Sequence, residues 1–488
     1  MSWRRRFPVF SSRAFACALV VLGLAALTLQ ACRDRAYERL TEDERDYLYA
    51  AANLAQSRTL SFAPPGVAGL RPDAYREPGF PFLIAALWRT ARLEAPASAS
   101  EVEAIFARAP RLYDSIRWLQ VGLLALAAAA SGWSAWQLGS TKAGAAAFLL
   151  VAASPALHER GGMVMTEVAA AAGMALAAAA LVAASRSRIA GAIAATAILA
   201  FLPLLRAEAV LLLPLAGLAG WWATPVGSAA GGRGARPARR WRRAFAALAA
   251  LAIAALPSAW WMARNQTELG VATLSDRSGL ALAVRAQLDR EVARVGLVPA
   301  LLAWTPLDRA QAEARVLAPS STLVDYRWTG PGNFFTRTIV DWGRERKAPG
   351  ADSLAVDARY RRDALRSFRA HPGAHGLAAI AVSWRGLFAE RSPAWLHPFD
   401  LRFGIGVLHL AAVAIFAARA LARRDRLRLA FLLPFAISFI FHALGTEFLP
   451  RYGVPLLPCA WVAVAVLVFG ERPLESGSPA RRVDGSSS

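Results

Sequence analysis

A helix needs roughly 20 mostly apolar residues to cross the hydrocarbon core of a bilayer. This chain repeats such stretches from near its start to near its end. They read as Ala14–Ala31, Trp118–Thr141, Ala143–Leu157, Gly161–Ala184, Ile189–Leu205, Ala209–Ala223, Ala244–Ala263, Phe403–Ala418, Leu429–Gly445 and Tyr452–Gly470. About ten spans are therefore expected, with interfacial helices beside them. A further apolar stretch, Gly79–Trp88, is too short for a span and reads as an interfacial helix. The fold class expected is an all-α polytopic membrane bundle. Only 18% of the 488 residues are charged and 56% are hydrophobic, against about 25% charged in soluble domains. That excludes a disordered tail, a disulfide scaffold and a collagen-like rod. Cys17, Cys32 and Cys459 are far apart, so no disulfide framework or metal spacing arises.

The net charge of +22 does not call for nucleic acid. Lysine occurs only at Lys142 and Lys347, and the arginines sit mostly in short loops between apolar runs rather than beside a polar module. No nucleic-acid partner is expected. Those loops set the orientation. Arg4–Arg6 and Arg13, Lys142, Arg186 and Arg188, the Arg233–Arg243 cluster, Arg419–Arg428, and Arg481 with Arg482 all fall on one side if Gly79–Trp88 does not cross. That side is read as cytoplasmic, with the N-terminus on it. Two long segments, Cys32–Arg117 and Arg264–Arg402, then face outward, the second with amphipathic runs Ala281–Leu297 and Leu354–Ala370. Three parts follow. Residues 1–263 form an N-terminal transmembrane catalytic module that includes outer loop 32–117. Residues 264–402 form an outer loop region, and 403–488 hold the C-terminal transmembrane helices and a cytoplasmic tail. Leu29-Gln30-Ala31-Cys32 approximates a lipoprotein signal, but glutamine fits poorly two residues before the cysteine. An uncleaved first span is expected instead.

Ionisable residues gather at the outer ends of the spans. Thr41-Glu42-Asp43-Glu44-Arg45-Asp46-Tyr47 opens the first outer segment, with Thr41 and Glu44 spaced as a capping box. Capping alone accounts for one of these carboxylates. The rigid turn Tyr75-Arg76-Glu77-Pro78-Gly79-Phe80-Pro81 follows, then His158-Glu159-Arg160, with Glu167 about two turns inside the fourth span. Arg206 and Glu208 lie between spans five and six, Trp260, Trp261 and Arg264 at the exit of span seven, and His442 and Glu447 at the end of span nine, before Arg451-Tyr452. The plain readings are aromatic-belt anchoring for the two tryptophans, snorkelling for Arg264, a local ion pair for Arg206 with Glu208, and a satisfied buried histidine for His409. Glu167 resists such a reading, because an acid inside a span is costly and faces a cavity or a partner. Carboxylates supply bases for a hydroxyl, and arginines take phosphate bidentately. The combination at one membrane level suits group transfer from a lipid phosphate.

These residues resemble the membrane glycosyltransferases of the GT-C fold, among them the bacterial relatives of protein O-mannosyltransferases and aminoarabinose transferases. Asp43-Glu44-Arg45-Asp46-Tyr47 is similar to their Asp-Glu-x-x-Tyr motif, and Arg76 to Pro81 to their Lys/Arg-Pro-Pro-x-Tyr-Pro turn, with Glu77 replacing the first proline. Glu167 matches an acid early in a later span. Pro257 to Asn265 resembles a Pro-Trp-x-x-Arg-Asn element with a longer gap after the proline. Arg451-Tyr452-Gly453-Val454-Pro455-Leu456-Leu457-Pro458 matches an Arg-Tyr-x-x-Pro-x-x-Pro element. The resemblance implies inverting transfer of a sugar from a polyprenyl-phosphate donor to an acceptor hydroxyl on the outer face of a bacterial inner membrane. It implies Asp43 as general base and Glu44 as its supporting or metal-facing carboxylate. Arg76, Arg264 and Arg451 would take the donor phosphate, with Tyr47, Tyr452, Glu167 and His442 positioning. A divalent metal is optional in the superfamily, and no strong ligand cluster is present. The acceptor stays open among glycan, lipid and protein.

Two other functional classes stay in view. A ligase or polymerase using lipid-pyrophosphate donors would rest on Arg344, Arg346 or His375 rather than Asp43. A transporter moving a lipid-linked sugar would show inverted repeats and midplane polar residues, and neither is visible. A purely structural membrane protein is the remaining reading, set against the intramembrane ionisable groups.

Overall fold

The computed structural model describes residues 12–32, 39–224, 235–321, 323, 334–348, 351–390, 401–446 and 448–470. Glu447 lies outside them. Among the described residues there is no strand. The chain begins with α1 (Ser12–Cys32), α2 (Glu42–Ser57) and α3 (Gly79–Thr90), then two short turns of helix, α4 (Ala99–Glu103) and α5 (Ile105–Arg108). Six apolar-to-mixed helices follow: α6 (Pro110–Leu138), α7 (Thr141–Ala152), α8 (Pro155–Gly161), α9 (Glu167–Ser185), α10 (Ile189–Leu205) and, after a 3-10 turn at Ala207–Leu212, α11 (Pro214–Ala223). The long α12 (Ala235–Leu269) leads into α13 (Ser278–Val295), α14 (Leu297–Trp304), α15 (Asp308–Leu317), α16 (Phe334–Lys347), α17 (Ser353–Ala370) and α18 (Pro372–Gly386). The chain returns through α19 (Arg402–Ala422), α20 (Arg426–Gly445), the one-turn α21 (Pro450–Gly453) and α22 (Leu457–Phe469).

Six of these helices are long and apolar enough to cross a membrane: Pro110–Leu138, Glu167–Ser185, Arg240–Leu269, Arg402–Ala422, Arg426–Gly445 and Pro450–Phe469. Four shorter apolar helices, Ala16–Gln30, Thr141–Ala152, Ile189–Leu205 and Ala207–Ala223, stand where the other four spans were expected. The amphipathic runs expected at Ala281–Leu297 and Leu354–Ala370 are helical as α13 and α17. One boundary moves with consequence. Ser154 caps α8 and Gly161 ends it, so the fourth span starts at Glu167 rather than Gly161. Glu167 is the first residue of its helix, not two turns inside it.

Small side chains place α9 at the centre, packed on α6, α10, α20 and α22. Alanine and glycine let helix backbones approach closely where lipid offers no hydrophobic drive. A Cβ at Gly173 would lie 2.5 Å from Leu202, and one at Gly191 would lie 2.5 Å from the Ala184 backbone. By contrast α12 lies at the periphery and exposes Trp241, Phe245, Leu248, Ile253 and Leu256. Two expectations change here. Trp260 is 61% exposed as a belt residue would be, but Trp261 is 2% exposed and donates its indole N–H to the Leu274 carbonyl at 3.1 Å. His409 is buried edge-on to Trp461, 4.3 Å between centroids, and its Nε2 has no hydrogen-bond partner among the described residues. Apolar packing, not a satisfied hydrogen bond, is what surrounds that ring.

Candidate active site

The site begins with the first turn of α2. Thr41 and Glu44 make the full capping box: the Thr41 hydroxyl accepts from the Glu44 N–H, and the Glu44 carboxylate accepts from the Thr41 N–H at 2.9 Å. The other Glu44 oxygen accepts from the Val164 N–H at 3.0 Å, which ties α2 to the loop entering α9. With the helix start so fixed, Asp43 and Asp46 lie three residues apart on one face and meet Arg76 from the rigid turn. Arg76 donates to both carboxylates, from Nε to Asp46 at 2.9 Å and from Nη2 to Asp43. Its guanidinium also lies 5.2 Å from the Tyr47 ring centre, and Tyr47 packs edge-on to Phe80 at 5.4 Å. The second Asp43 oxygen accepts from Arg451 Nη1 at 2.6 Å. One carboxylate thus joins guanidiniums from chain positions 33 and 408 residues away.

Burial alone would raise the Asp43 carboxyl, but Arg451, Arg76 and Arg277 outweigh it and hold it far below the usual carboxylate range. Asp46 moves the other way: burial raises it, and Arg76 offsets that only in part. Without ligand, Asp43 is therefore a charged, fully engaged carboxylate and a poor base.

A second polar group lies behind Arg451. Arg206 Nε and Glu208 Oε1 are 2.5 Å apart, and His442 Nε2 is 3.7 Å from the same oxygen. The His442 ring stacks on Tyr452 at 5.4 Å, and Arg206 and Arg451 each lie 5.3 Å from the Tyr452 ring. The Glu77 carboxylate accepts from the Ala207 N–H at 3.2 Å. Burial raises the Glu77 carboxyl, and the charge of Glu208 raises it further. Glu167 is 3% exposed, its Oε2 has no hydrogen-bond partner among the described residues, and it lies near both Arg206 and Arg451.

Arg451 also lines a cavity of about 310 Å³. Arg160, Arg385 and Arg402 line it too, with Glu159, Gln311 and Trp304. Such a lining selects anions by charge and by planar hydrogen-bond donors.

Of the residues singled out from sequence, Asp43, Arg76, Arg451, Tyr47 and Tyr452 come together, with Glu167 and His442 directly behind. Glu44 lies in the same turn, but its carboxylate is taken up by Thr41 and Val164. Arg264 sits apart, 2.8 Å from Asn265 Oδ1 and 4.8 Å from the Trp261 ring, with its nearest outer-loop acceptor the Asp73 carbonyl at 3.5 Å. Sequence reasoning missed Asp46 as a partner for Arg76. It also missed Arg277, which lies 4.8 Å from the Tyr75 ring beside Arg76 at 5.5 Å; Arg346, named above only for the ligase reading, joins them at 5.6 Å. In an arginine-rich chain no single arginine stands out. The one usable signal was Tyr75 itself, an aromatic next to Arg76 in an otherwise rigid turn. Among the described residues no group of three His, Cys, Asp or Glu side chains is placed to hold a metal ion.

The capping geometry carries a stability prediction. Thr41→Ala is expected to cost about 1 kcal/mol, the usual value of a lost cap. Glu44→Ala is expected to cost more, because the buried Val164 N–H also loses its acceptor, about 1–3 kcal/mol by itself. Thermal unfolding in one detergent ranks the two, and a milder effect for Glu44→Ala would contradict the role given to Val164.

No family model and no curated protein matches the chain. Among solved structures it is similar to the archaeal oligosaccharyltransferase AglB of Archaeoglobus fulgidus in complex with an inhibitory peptide and a dolichol-phosphate. That match has 14% identity and a TM-score of 0.48, over 95% of this chain and 50% of the other. A second structure of the Archaeoglobus oligosaccharyltransferase, with zinc and sulfate, matches at 13% identity and a TM-score of 0.48, over 93% and 48%. ArnT from Cupriavidus metallidurans bound to undecaprenyl phosphate matches at 16% identity and a TM-score of 0.34, over 88% of this chain and 76% of ArnT. The chain spans about half the length of the archaeal enzyme.

Proposed function

We propose that the chain is an integral membrane glycosyltransferase that moves a sugar from a polyprenyl-phosphate carrier to an acceptor hydroxyl. The observation that carries this reading is the single carboxylate of Asp43 held between Arg76 and Arg451, with Arg451 opening onto the arginine-lined cavity. The donor phosphate enters the cavity and draws Arg451 toward it, with Arg160, Arg385 and Arg402 as further donors. Arg76 and Arg451 then share their charge between Asp43 and the phosphate, and the carboxylate regains basicity. The acceptor oxygen attacks the anomeric carbon as its proton passes to Asp43. The bond from that carbon to the phosphate oxygen breaks on the opposite side, so the configuration inverts. The arginines stabilise the second negative charge that appears on the leaving phosphate. Tyr47, Tyr452 and His442 hold the arginines in place. Glu167 orients Arg451 or a sugar hydroxyl, and Glu44 holds the start of α2. Arg264 stands at the Asp73 side as an outer contact for the carrier. The charge pattern of the short loops supports an N-terminus in the cytoplasm and a site on the periplasmic face of the inner membrane, with residues 264–402 as the outer region.

The rival pyrophosphate-ligase reading would rest on Arg344, Arg346 or His375. Arg346 pairs with Asp276 at 2.8 Å, His375 with Asp289 at 2.7 Å, and none of the three lines the cavity. The deciding test titrates the purified protein with undecaprenyl phosphate and, separately, with phosphatidylglycerol by native mass spectrometry. Saturable binding of the polyprenyl phosphate at least about tenfold tighter than the phospholipid, a difference of about 1.4 kcal/mol, is expected. Equal binding of the two would overturn the donor assignment.

A further inference from the structure

The segment that carries Arg451 is gripped from the 264–402 region, and the grip has three parts. Arg285 of α13 is fully buried. Its Nη1 donates to the Ala443 carbonyl and to the Thr446 carbonyl at 2.8 Å, and its Nη2 to the His375 carbonyl at 3.2 Å. Ala443 lies in the last turn of α20, whose carbonyls have no partner within the helix, and a cation there also suits the helix dipole. Asp289 neutralises the guanidinium at 2.6 Å and is held in turn by His375 Nδ1 at 2.7 Å.

The second part is Phe448. Its φ of +38° lies in the left-handed region, which is sparsely populated for a bulky side chain. Such a conformation persists only where the surroundings over-determine it. The ring is fully buried, 5.3 Å from Phe439 and 5.2 Å from His442. It rests against Gly386 at the end of α18, where an added Cβ would lie 2.6 Å from the ring. The third part is Gly453, whose own Cβ would lie 2.5 Å from the Gly386 carbonyl. Arg451 is therefore bracketed on both sides by residues seated on Gly386.

We propose that Arg285 is a positioning residue for Arg451, acting through the end of α20 and the Phe448–Gly386–Gly453 seat, so that the outer region sets the geometry of the phosphate-binding arginine. This rests on the transferase reading for its kinetic consequence, but its structural half stands alone. Holding α20 and the backbone around Phe448 fixes where the Arg451 guanidinium points between Asp43 and the cavity. A misplacement of about 1 Å in such a group costs about a hundredfold in rate.

The test uses the full-length protein in detergent, with Arg285→Met, Arg285→Lys and Gly386→Ala. Hydrogen exchange is followed in the peptide spanning 448–453 and, as an internal control, in α2. Arg285→Met and Gly386→Ala are each expected to raise exchange at 448–453 by about tenfold or more while α2 holds its protection. With sugar-charged lipid, kcat/KM is expected to fall by about tenfold or more, with both kcat and donor KM affected, because the Arg451 guanidinium meets the phosphate before and during transfer. Arg285→Lys, which keeps the charge but not the fork, is expected to recover part of both. Unchanged exchange at 448–453 in Gly386→Ala would overturn the coupling, as would a loss of kcat that merely follows loss of folded protein. A wild type that neither binds polyprenyl phosphate nor turns over would remove the transferase reading instead, and the exchange measurement would still decide the coupling. Should Arg285→Met fail to fold, Gly386→Ala and Arg285→Lys carry the test.

Discussion

Asp43→Asn is expected to lose turnover by about a hundredfold to ten-thousandfold, the range for removing a general base, while binding polyprenyl phosphate at least as tightly as the wild type. The second half of that result separates this site from an ordinary ion-pair cluster. In the wild type the phosphate must compete with Asp43 for Arg76 and Arg451. With asparagine there, the competitor is neutral and both guanidiniums are available. The pH profile follows the same logic. Burial works to raise the Asp43 carboxyl, but three arginines hold it well below the usual range in the free protein. The acid limb that Asp43 puts on kcat/KM, which reports the free enzyme, therefore lies below the usual carboxylate range. In the donor complex the phosphate takes up part of the arginine charge, so the acid limb of kcat lies at higher pH. Turnover in Asp43→Asn above about a tenth of wild type would remove Asp43 as the base. Weaker lipid binding in that variant would remove the competition.

Arg451→Ala is the second large effect. A charge-assisted hydrogen bond contributes about 1.5–3 kcal/mol, so donor affinity should fall by about 10- to 100-fold. Turnover should fall further, because the same guanidinium faces the charge that appears on the leaving phosphate. Arg264→Ala serves as the comparison. Arg264 packs on Trp261 and bonds Asn265 and Asp73, away from Asp43 and the cavity. Its loss is expected to change donor affinity by less than about threefold, in line with a single half-buried contact at the edge of the site. Titration and turnover on the same preparations check both. Equal losses in the two variants would mean that Arg264 holds the phosphate alongside Arg451, as the resemblance implied.

Much of this arrangement could be read from the residues alone, and the reasons differ by feature. The apolar runs announce helices because a bilayer admits few other solutions. The Thr41–Glu44 cap is a local pattern, and it forms as spaced. Asp43, Arg76 and Arg451 come together across most of the chain, which an ordered set of motifs anticipates. Depth within the membrane was not readable. Glu167 moved to a helix start because Gly161 and Gly162 end α8, a break that a hydropathy run conceals. The fate of neighbours was equally hidden: Trp260 and Trp261 are adjacent and aromatic, yet α12 points one outward and the other into the protein. Arg160, Arg385 and Arg402 come from three distant stretches, and only packing makes them the wall of one cavity.

The contrast between α9 and α12 bears on how such a sequence can drift over generations. In the apolar 18-residue stretch of α9, 78% of residues are buried, and in that of α12 only 17%. Where α9 meets α10, a single extra carbon at Gly173 or Gly191 finds an occupied position, so the permitted alphabet there shrinks to the smallest residues. Along the outward face of α12 lipid tails replace protein neighbours, and there any residue of sufficient apolarity serves. Descendants of this chain would thus diverge fastest along a helix that looks, by composition, almost as constrained as the one at its heart.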